Sequence, residues 1–172
     1  STEGGVVFAR EKALIERMAY MRNFGHDGPE KFNGVGINGK NSELHAAMGL
    51  CVLDDVNTIT QRRKTQSKNY DELLAGLSIR KPIVDKNCDF NYAYYPILFE
   101  SEKIMKKVKL ALELKSIFAR RYFYPSLSSL DYVKSKPTPI TDDCASRILC
   151  IPLYHELNLK DQKNISEINE PV

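Results

Sequence analysis

A glycine-rich, donor-rich loop that runs straight into the strongest helix signal constrains this chain most: Gly34–Leu50 reads GVGINGKNSELHAAMGL. Gly34, Gly36 and Gly39 admit backbone conformations and close approaches that a side chain forbids. Asn38, Lys40 and Asn41 place amide and ammonium donors in the loop, and Asn41 or Ser42 supplies the N-cap of the helix that follows. Donors ahead of the positive end of a helix suit a phosphate or a carboxylate. The whole loop, Gly25–Asn41, has seventeen residues with five glycines and one proline. Structureless loops of that length are uncommon in compact domains and are usually functional or disordered. Phe24, Phe32, Val35 and Ile37 argue against disorder and for a functional loop.

The residues on either side read as scaffolding for it. Val6–Ala9 reads as a short strand, and Glu11–Arg22 as a helix on Leu14, Ile15, Met18 and Met21, ended at Asn23-Phe24-Gly25 with Gly25 at C′. Asn41–Leu77 reads as one very long helix or two in series. Its first part, Leu44–Leu53, is apolar nearly all round, which marks burial on several sides or at a subunit interface. From Val56 the pattern thins to a seam of Val56, Ile59, Arg63, Gln66, Tyr70, Leu73 and Leu77, expected to be buried at both ends and wetter between. A lobe boundary is expected at residues 57–66.

Beyond it, Asp89–Glu100 reads as a strand covered on both sides, and Ser101 caps a helix to Lys115 with Ile104, Val108, Ala111 and Leu112 inward. Ile117–Tyr124 reads as a second strand, Pro125–Pro139 as a loop, Thr141–Leu149 as a short helix and Ile151–Leu153 as an extended piece. The last helix opens at Asn158 or Leu159 and carries Ile165 and Ile168. The second lobe is thus expected to be a small α+β layer of helices on two or three strands.

Composition narrows the function classes. With 172 residues, 42% hydrophobic and 27% charged, the chain has an ordinary globular make-up for one domain or two small lobes. The net charge is only +3, and the basic spots Arg62-Arg63-Lys64 and Lys106-Lys107 fall on expected helices, which reads as solvated faces and not as a nucleic-acid surface. No stretch is apolar for long enough to cross a membrane, and STEGG carries no signal pattern. Cys51, Cys88, Cys144 and Cys150 form no CxxC pair; Cys51 and Cys150 sit among apolar neighbours and are expected to be buried thiols in a reducing, cytoplasmic setting. His26, His45 and His155 are scattered, so no zinc site is expected. The start has no Met and runs at once into a strand pattern, and ISEINEPV stops as a helix begins, so the chain reads as part of something longer.

Several motifs fail on context. GVGING matches G-x-G-x-x-G literally, but a dinucleotide fingerprint needs a strand directly before it and GHDGPEKFN is not one. Ser42, His45 and Asp27 are the types of a hydrolytic triad, yet Ser42 and His45 lie three apart on a helix and no nucleophile elbow is present. His45 reads as a packed or hydrogen-bonded helix residue. Tyr92, Tyr94, Tyr95, Tyr122 and Tyr124 offer rings to a base or sugar, but core and strand packing accounts for most of them. Tyr124, directly before Pro125 at the expected strand end, is the one expected to face a cleft.

The segments EGG, RNFGHDG, GINGKNSELHAAMGL, ARRYFYPSL and ILCIPLYHEL, in this order and spacing, make the chain resemble the DegT/DnrJ/EryC1/StrS family of pyridoxal-phosphate-dependent sugar-nucleotide aminotransferases, over essentially its full length. The resemblance implies an α/β, aspartate-aminotransferase-like type I fold. Residues 1–60 would be the end of the large cofactor domain and the start of a linking helix, and 61–172 the small C-terminal domain. It implies a homodimer with shared active sites, in which Asn38 reaches the pyridoxal phosphate of the neighbouring subunit. The implied reaction moves an amino group, from glutamate, onto a nucleoside-diphosphate keto-deoxysugar. His26, Lys31, Lys40 and Tyr124 are the candidates for the sugar or its diphosphate. Family members often carry an aromatic residue where Ile37 stands and usually glutamine where His45 stands. The family's cofactor-carrying lysine lies a few residues before its EGG, outside this sequence. No catalytic residue is therefore assigned here, and the chain alone is expected to be inactive. A dehydratase of the same fold with histidine in place of that lysine, and a non-catalytic dimerising or regulatory module, are the two other readings.

Overall fold

In the computed structural model, which describes residues 3–134 and 136–167, the chain forms two units, Ser1–Asn57 and Thr58–Val172. The elements are, in order, α1 (Lys12–Arg22), α2 (Glu43–Leu73), β1 (Ile79–Arg80), β2 (Tyr95–Phe99), α3 (Glu102–Leu114), α4 (Pro139–Arg147), β3 (Ile148–Ile151) and α5 (Leu159–Ser166). The expected long helix is one uninterrupted helix of 31 residues, α2. Among the described residues no helix is long and apolar enough to cross a membrane.

The core belongs to the second unit. Side chains alternate along a strand, and in β2 Tyr95, Ile97 and Phe99 are buried while Pro96 and Leu98 are only partly covered. β2 is the middle of a three-stranded antiparallel sheet, with Ile79 opposite Phe99 on one side and Tyr95 opposite Ile151 on the other. α3 turns Met105, Val108 and Leu112 onto this core, a helical spacing of three and four. Its N-cap is the expected Ser101, whose Oγ accepts from Ile104 N at 3.3 Å. Asn158 caps α5 in the same way, its Oδ1 accepting from Asp161 N at 2.9 Å. Ile165 is buried; Ile168 lies outside the described residues.

The seam of α2 differs from expectation at its middle. Gln66 is 5% exposed, not wet. Its Nε2 donates to Leu157 O at 2.8 Å, while Gln162 of α5, fully buried, donates from Nε2 to Gln66 O at 2.8 Å and accepts from Asn69 Nδ2 at 3.0 Å. Amide side chains are admitted to this interior because they pair across two helices.

Four expected elements of the second unit change; the extended piece expected at Ile151–Leu153 forms three residues earlier, as β3 at Ile148–Ile151, because α4 has already ended at Arg147. Ile117–Tyr124 is not a strand; it contributes a single bridge, Arg120 to Cys150, with N···O distances of 3.0 and 2.8 Å. Residues 89–94 are not strand either, because Asn91 Oδ1 accepts from Ala93 N at 3.0 Å and Tyr92 sits at φ 50, a turn chemistry that competes with extension. α4 begins at Pro139, two residues earlier than expected, since proline's fixed φ and missing N–H suit the first helical position.

In the first unit, no large hydrophobic side chain of the described residues is buried. Val6–Ala9 has no strand partner among them and stays irregular, with Phe8 87% exposed. The burial expected of Leu44–Leu53 is not found within the chain: Leu44 and Leu50 are exposed, and so is Cys51. Cys150 is buried as expected, and burial raises its thiol pKa.

Candidate functional site

The site loop is built on the C-terminal end of α1. A helix end leaves its last carbonyls open. Here Gly25 N donates to Tyr20 O at 2.8 Å, the six-to-one bond of a Schellman ending. Phe24 (φ 57) and Gly25 (φ 82) are both left-handed, so Phe24 takes C′ and Gly25 the next position, one residue on from expectation. Met21 O and Arg22 O are then closed by the far end of the loop, which donates from Ile37 N and Gly39 N, both at 2.8 Å. Phe24 N returns a bond to Ile37 O at 2.9 Å. The result is an isolated antiparallel bridge between Asn23 and Asn38.

Two glycines make this closure possible. A Cβ on Gly25 would lie 2.1 Å from Gly34 O, and one on Gly36 would lie 2.2 Å from Gly25 N and 2.6 Å from Met21 O. No flexible side chain is there to give way, so only glycine fits either position. A second bridge, His26 to Phe32, closes the tip, with Asp27 N donating to Lys31 O at 2.9 Å.

This geometry decides which donors are available. The amides of residues 37 and 39 point into the end of α1. The residue between them in such an antiparallel pair points its own N–H and C=O the other way. Asn38 is exposed, and neither its backbone nor its carboxamide has a partner among the described residues. Two positions on, Lys40 holds its ammonium 4.1 Å from the centre of the Phe24 ring. α2 starts directly after, capped by Ser42, whose Oγ accepts from His45 N at 3.3 Å and lies 2.8 Å from His45 Nδ1. The backbone at Gly4 packs on this helix start, where a Cβ would stand 3.2 Å from the Asn41 carboxamide and from His45 Cβ.

The other candidates are placed as follows. His26 stacks on Phe32 with ring centres 4.5 Å apart and meets Phe24 edge-on at 6.2 Å. Phe24, in contact with Lys40 as well, joins His26 and Lys40 into one cluster. Lys31 lies at the hairpin tip with an exposed side chain. Tyr124 belongs to the second unit and is half exposed there. Arg121 lies against its ring, Cζ 3.4 Å from the centre, and is itself held by Glu102 at 3.1 Å and Ser146 O at 2.7 Å. Sequence reasoning missed Arg121; the paired arginines of ARRYFYP, beside two tyrosines, were the only signal. Tyr94 and Tyr122 stack at 5.0 Å, and Arg120 Nη1 donates to the Tyr122 hydroxyl at 3.1 Å. Among the described residues no group of three His, Cys, Asp or Glu converges to hold a metal ion.

The DegT/DnrJ/EryC1/StrS aminotransferase family pattern matches residues 1–169. The dTDP-4-amino-4,6-dideoxy-D-glucose transaminase of Shigella dysenteriae is 34% identical over 165 residues, 91% of this chain and 44% of that protein. The UDP-4-amino-4,6-dideoxy-N-acetyl-beta-L-altrosamine transaminase of Helicobacter pylori is 24% identical, over 96% of this chain and 47% of its own length. Among solved structures, DesI in the presence of its TDP-sugar product superposes with a TM-score of 0.81 at 27% identity, covering 92% of this chain and 42% of that one. A DegT DnrJ EryC1 StrS aminotransferase from Brucella abortus gives 0.83 at 21% identity, over 94% and 44%, a likeness of fold alone. The chain spans a little under half the length of these relatives.

Proposed function

The chain belongs to the DegT/DnrJ/EryC1/StrS aminotransferase family, with its α/β type I fold, and we propose that, within a longer polypeptide, it serves amino transfer from glutamate to a nucleoside-diphosphate keto-deoxysugar. In this reading residues 1–60 close the large cofactor domain, 61–172 form the small domain, and two copies pair so that the loop of one serves the site of the other. The setting is the cytoplasm.

The observation that carries the reading is the state of Asn38: outward-facing, without a partner among the described residues, on a loop pinned to α1 through both neighbouring amides. A backbone N–H and a carboxamide N–H, ahead of the positive end of α2, match the acceptor-only oxygens of a phosphate dianion. The residues therefore fit the phosphate of pyridoxal 5′-phosphate, which when bound supplies the electron sink that amino transfer needs. Asn38 would hold that phosphate for the neighbouring subunit. Because its neighbours are already bonded, little ordering remains to be done on binding. Lys40 would add positive charge beside it, and His26, Lys31 and Tyr124 would contact the nucleotide sugar. Arg121, stacked under Tyr124, would fix that ring's orientation.

The test is Asn38→Ala in the full-length protein. A hydrogen bond to a charged group contributes about 1.5–3 kcal/mol, so the dissociation constant for pyridoxal phosphate, titrated by absorbance, should rise roughly ten- to a hundredfold. An unchanged constant rejects the role.

A further inference from the structure

A cleft of about 310 Å³ in the second unit has a chemistry that the loop site does not use. Its floor holds Tyr95, whose hydroxyl donates to Asp71 Oδ1 at 2.6 Å. Lys81 pairs with the same oxygen, its ammonium 5.3 Å from the Tyr95 ring centre. Both donors fall on Oδ1, and Oδ2 receives none of the hydrogen bonds formed among the described residues. Ser67 borders the same cleft; it is 7% exposed and its Oγ has no partner. The wall is aromatic: Phe90 and Tyr92 meet edge to face at 5.0 Å and 74°, next to the exposed ring of Tyr94.

These features select a ligand class. The lining carries two carboxylates, Asp71 and Asp85, and two ammonium groups, Lys81 and Lys86, so the cleft is balanced and favours an uncharged ligand. A carboxylate oxygen that only accepts, beside an ammonium that only donates, is matched by neighbouring hydroxyls, each of which does both. Rings at 74° cannot sandwich a flat base between them, whereas a puckered ring needs only one of them, its C–H face laid on that ring and its hydroxyls turned to Asp71 and Lys81. The volume lies at the small end of ligand pockets, enough for one ring. We propose that this cleft binds a single neutral hexopyranoside, its vicinal hydroxyls on Asp71 and Lys81 and its C–H face on the aromatic wall. The proposal concerns the second unit by itself and does not rest on the amino-transfer reading.

The experiment is saturation-transfer NMR on the intact protein with the methyl glycosides of glucose, galactose and mannose, with sorbitol and adenosine as controls. At least one methyl hexopyranoside should receive saturation on its ring C–H protons, and neither control should. Asp71→Ala and Tyr92→Ala should each weaken that binding by about tenfold or more, with circular dichroism confirming the fold. Tyr92 lies outside every helix and strand, so its variant decides the matter should Asp71→Ala fail to fold. Absence of saturation for all three glycosides, equal binding of sorbitol or adenosine, or undiminished binding by Tyr92→Ala overturns the proposal.

Discussion

At position 36 one methyl group separates a closed loop from an open one. The missing side chain lets Gly36 pass within contact of Gly25 N, Met21 O and the Phe24 carbonyl carbon. Gly36→Ala should displace Ile37–Gly39 from the end of α1 and carry Asn38 with it. In the full-length protein its loss of pyridoxal phosphate affinity should equal or exceed that of Asn38→Ala, by the same absorbance titration. A second residue-scale effect concerns Asp142. The hydroxyls of Ser126 and Ser128, the latter donating to Asp142 Oδ1 at 2.7 Å, hold its carboxyl below the usual carboxylate range. A folded-state pKa below the unfolded value adds stability that is fully present above the ordinary value of about 4 and is lost as pH falls through the depressed one. Asp142→Asn should therefore flatten the acid limb of stability below about pH 4, read from urea melts over a pH series, and leave the neutral-pH slope unchanged. The donor content of GINGKN was legible in the sequence. Which of its donors are free was not, because the amides of residues 37 and 39 are consumed by carbonyls some sixteen residues earlier.

Among the elements, α2 and α5 are joined by side-chain amides where an apolar seam would be the simpler solution. Removing Gln162 would take the partner from the partly buried Asn69 Nδ2 and leave the Gln66 carbonyl with only its bond inside α2. Each buried polar group left without a partner costs about 1–3 kcal/mol. Gln162→Ala should lower unfolding stability by about 1–3 kcal/mol, measured by chemical denaturation; a loss near zero would show that water replaces the amide. Helices were more legible than strands here. α1, α3 and α5 declare themselves by three-and-four spacing and by caps such as Ser101 and Asn158, which are local signals. A strand needs a partner, and neither Val6–Ala9 nor Ile117–Tyr124 reveals alone whether one is waiting. The first finds none among the described residues; the second finds one bridge.

For the whole molecule, apolar burial is uneven. The second unit holds every buried large hydrophobic side chain of the described residues, while Phe8, Val35 and Leu44 of the first remain more than four-fifths exposed. Leu112→Ala, at the centre of that core and fully buried, should cost about 2–5 kcal/mol. Hydrogen exchange should report the loss in β2 and α3, and a response spread equally through residues 3–57 would contradict a core confined to the second unit. By itself the sequence determined what is local: the glycine positions, the caps, the period of each helix, the five segments that carry the family likeness. Only the tertiary structure decided that Gln66 and Gln162 are buried partners, that Tyr124 rests on Arg121, and that the Asn38 amide is left open while those of residues 37 and 39 are bonded. Those outcomes depend on groups brought together from distant points of the chain, and pairing across such distances leaves no periodic trace in either partner.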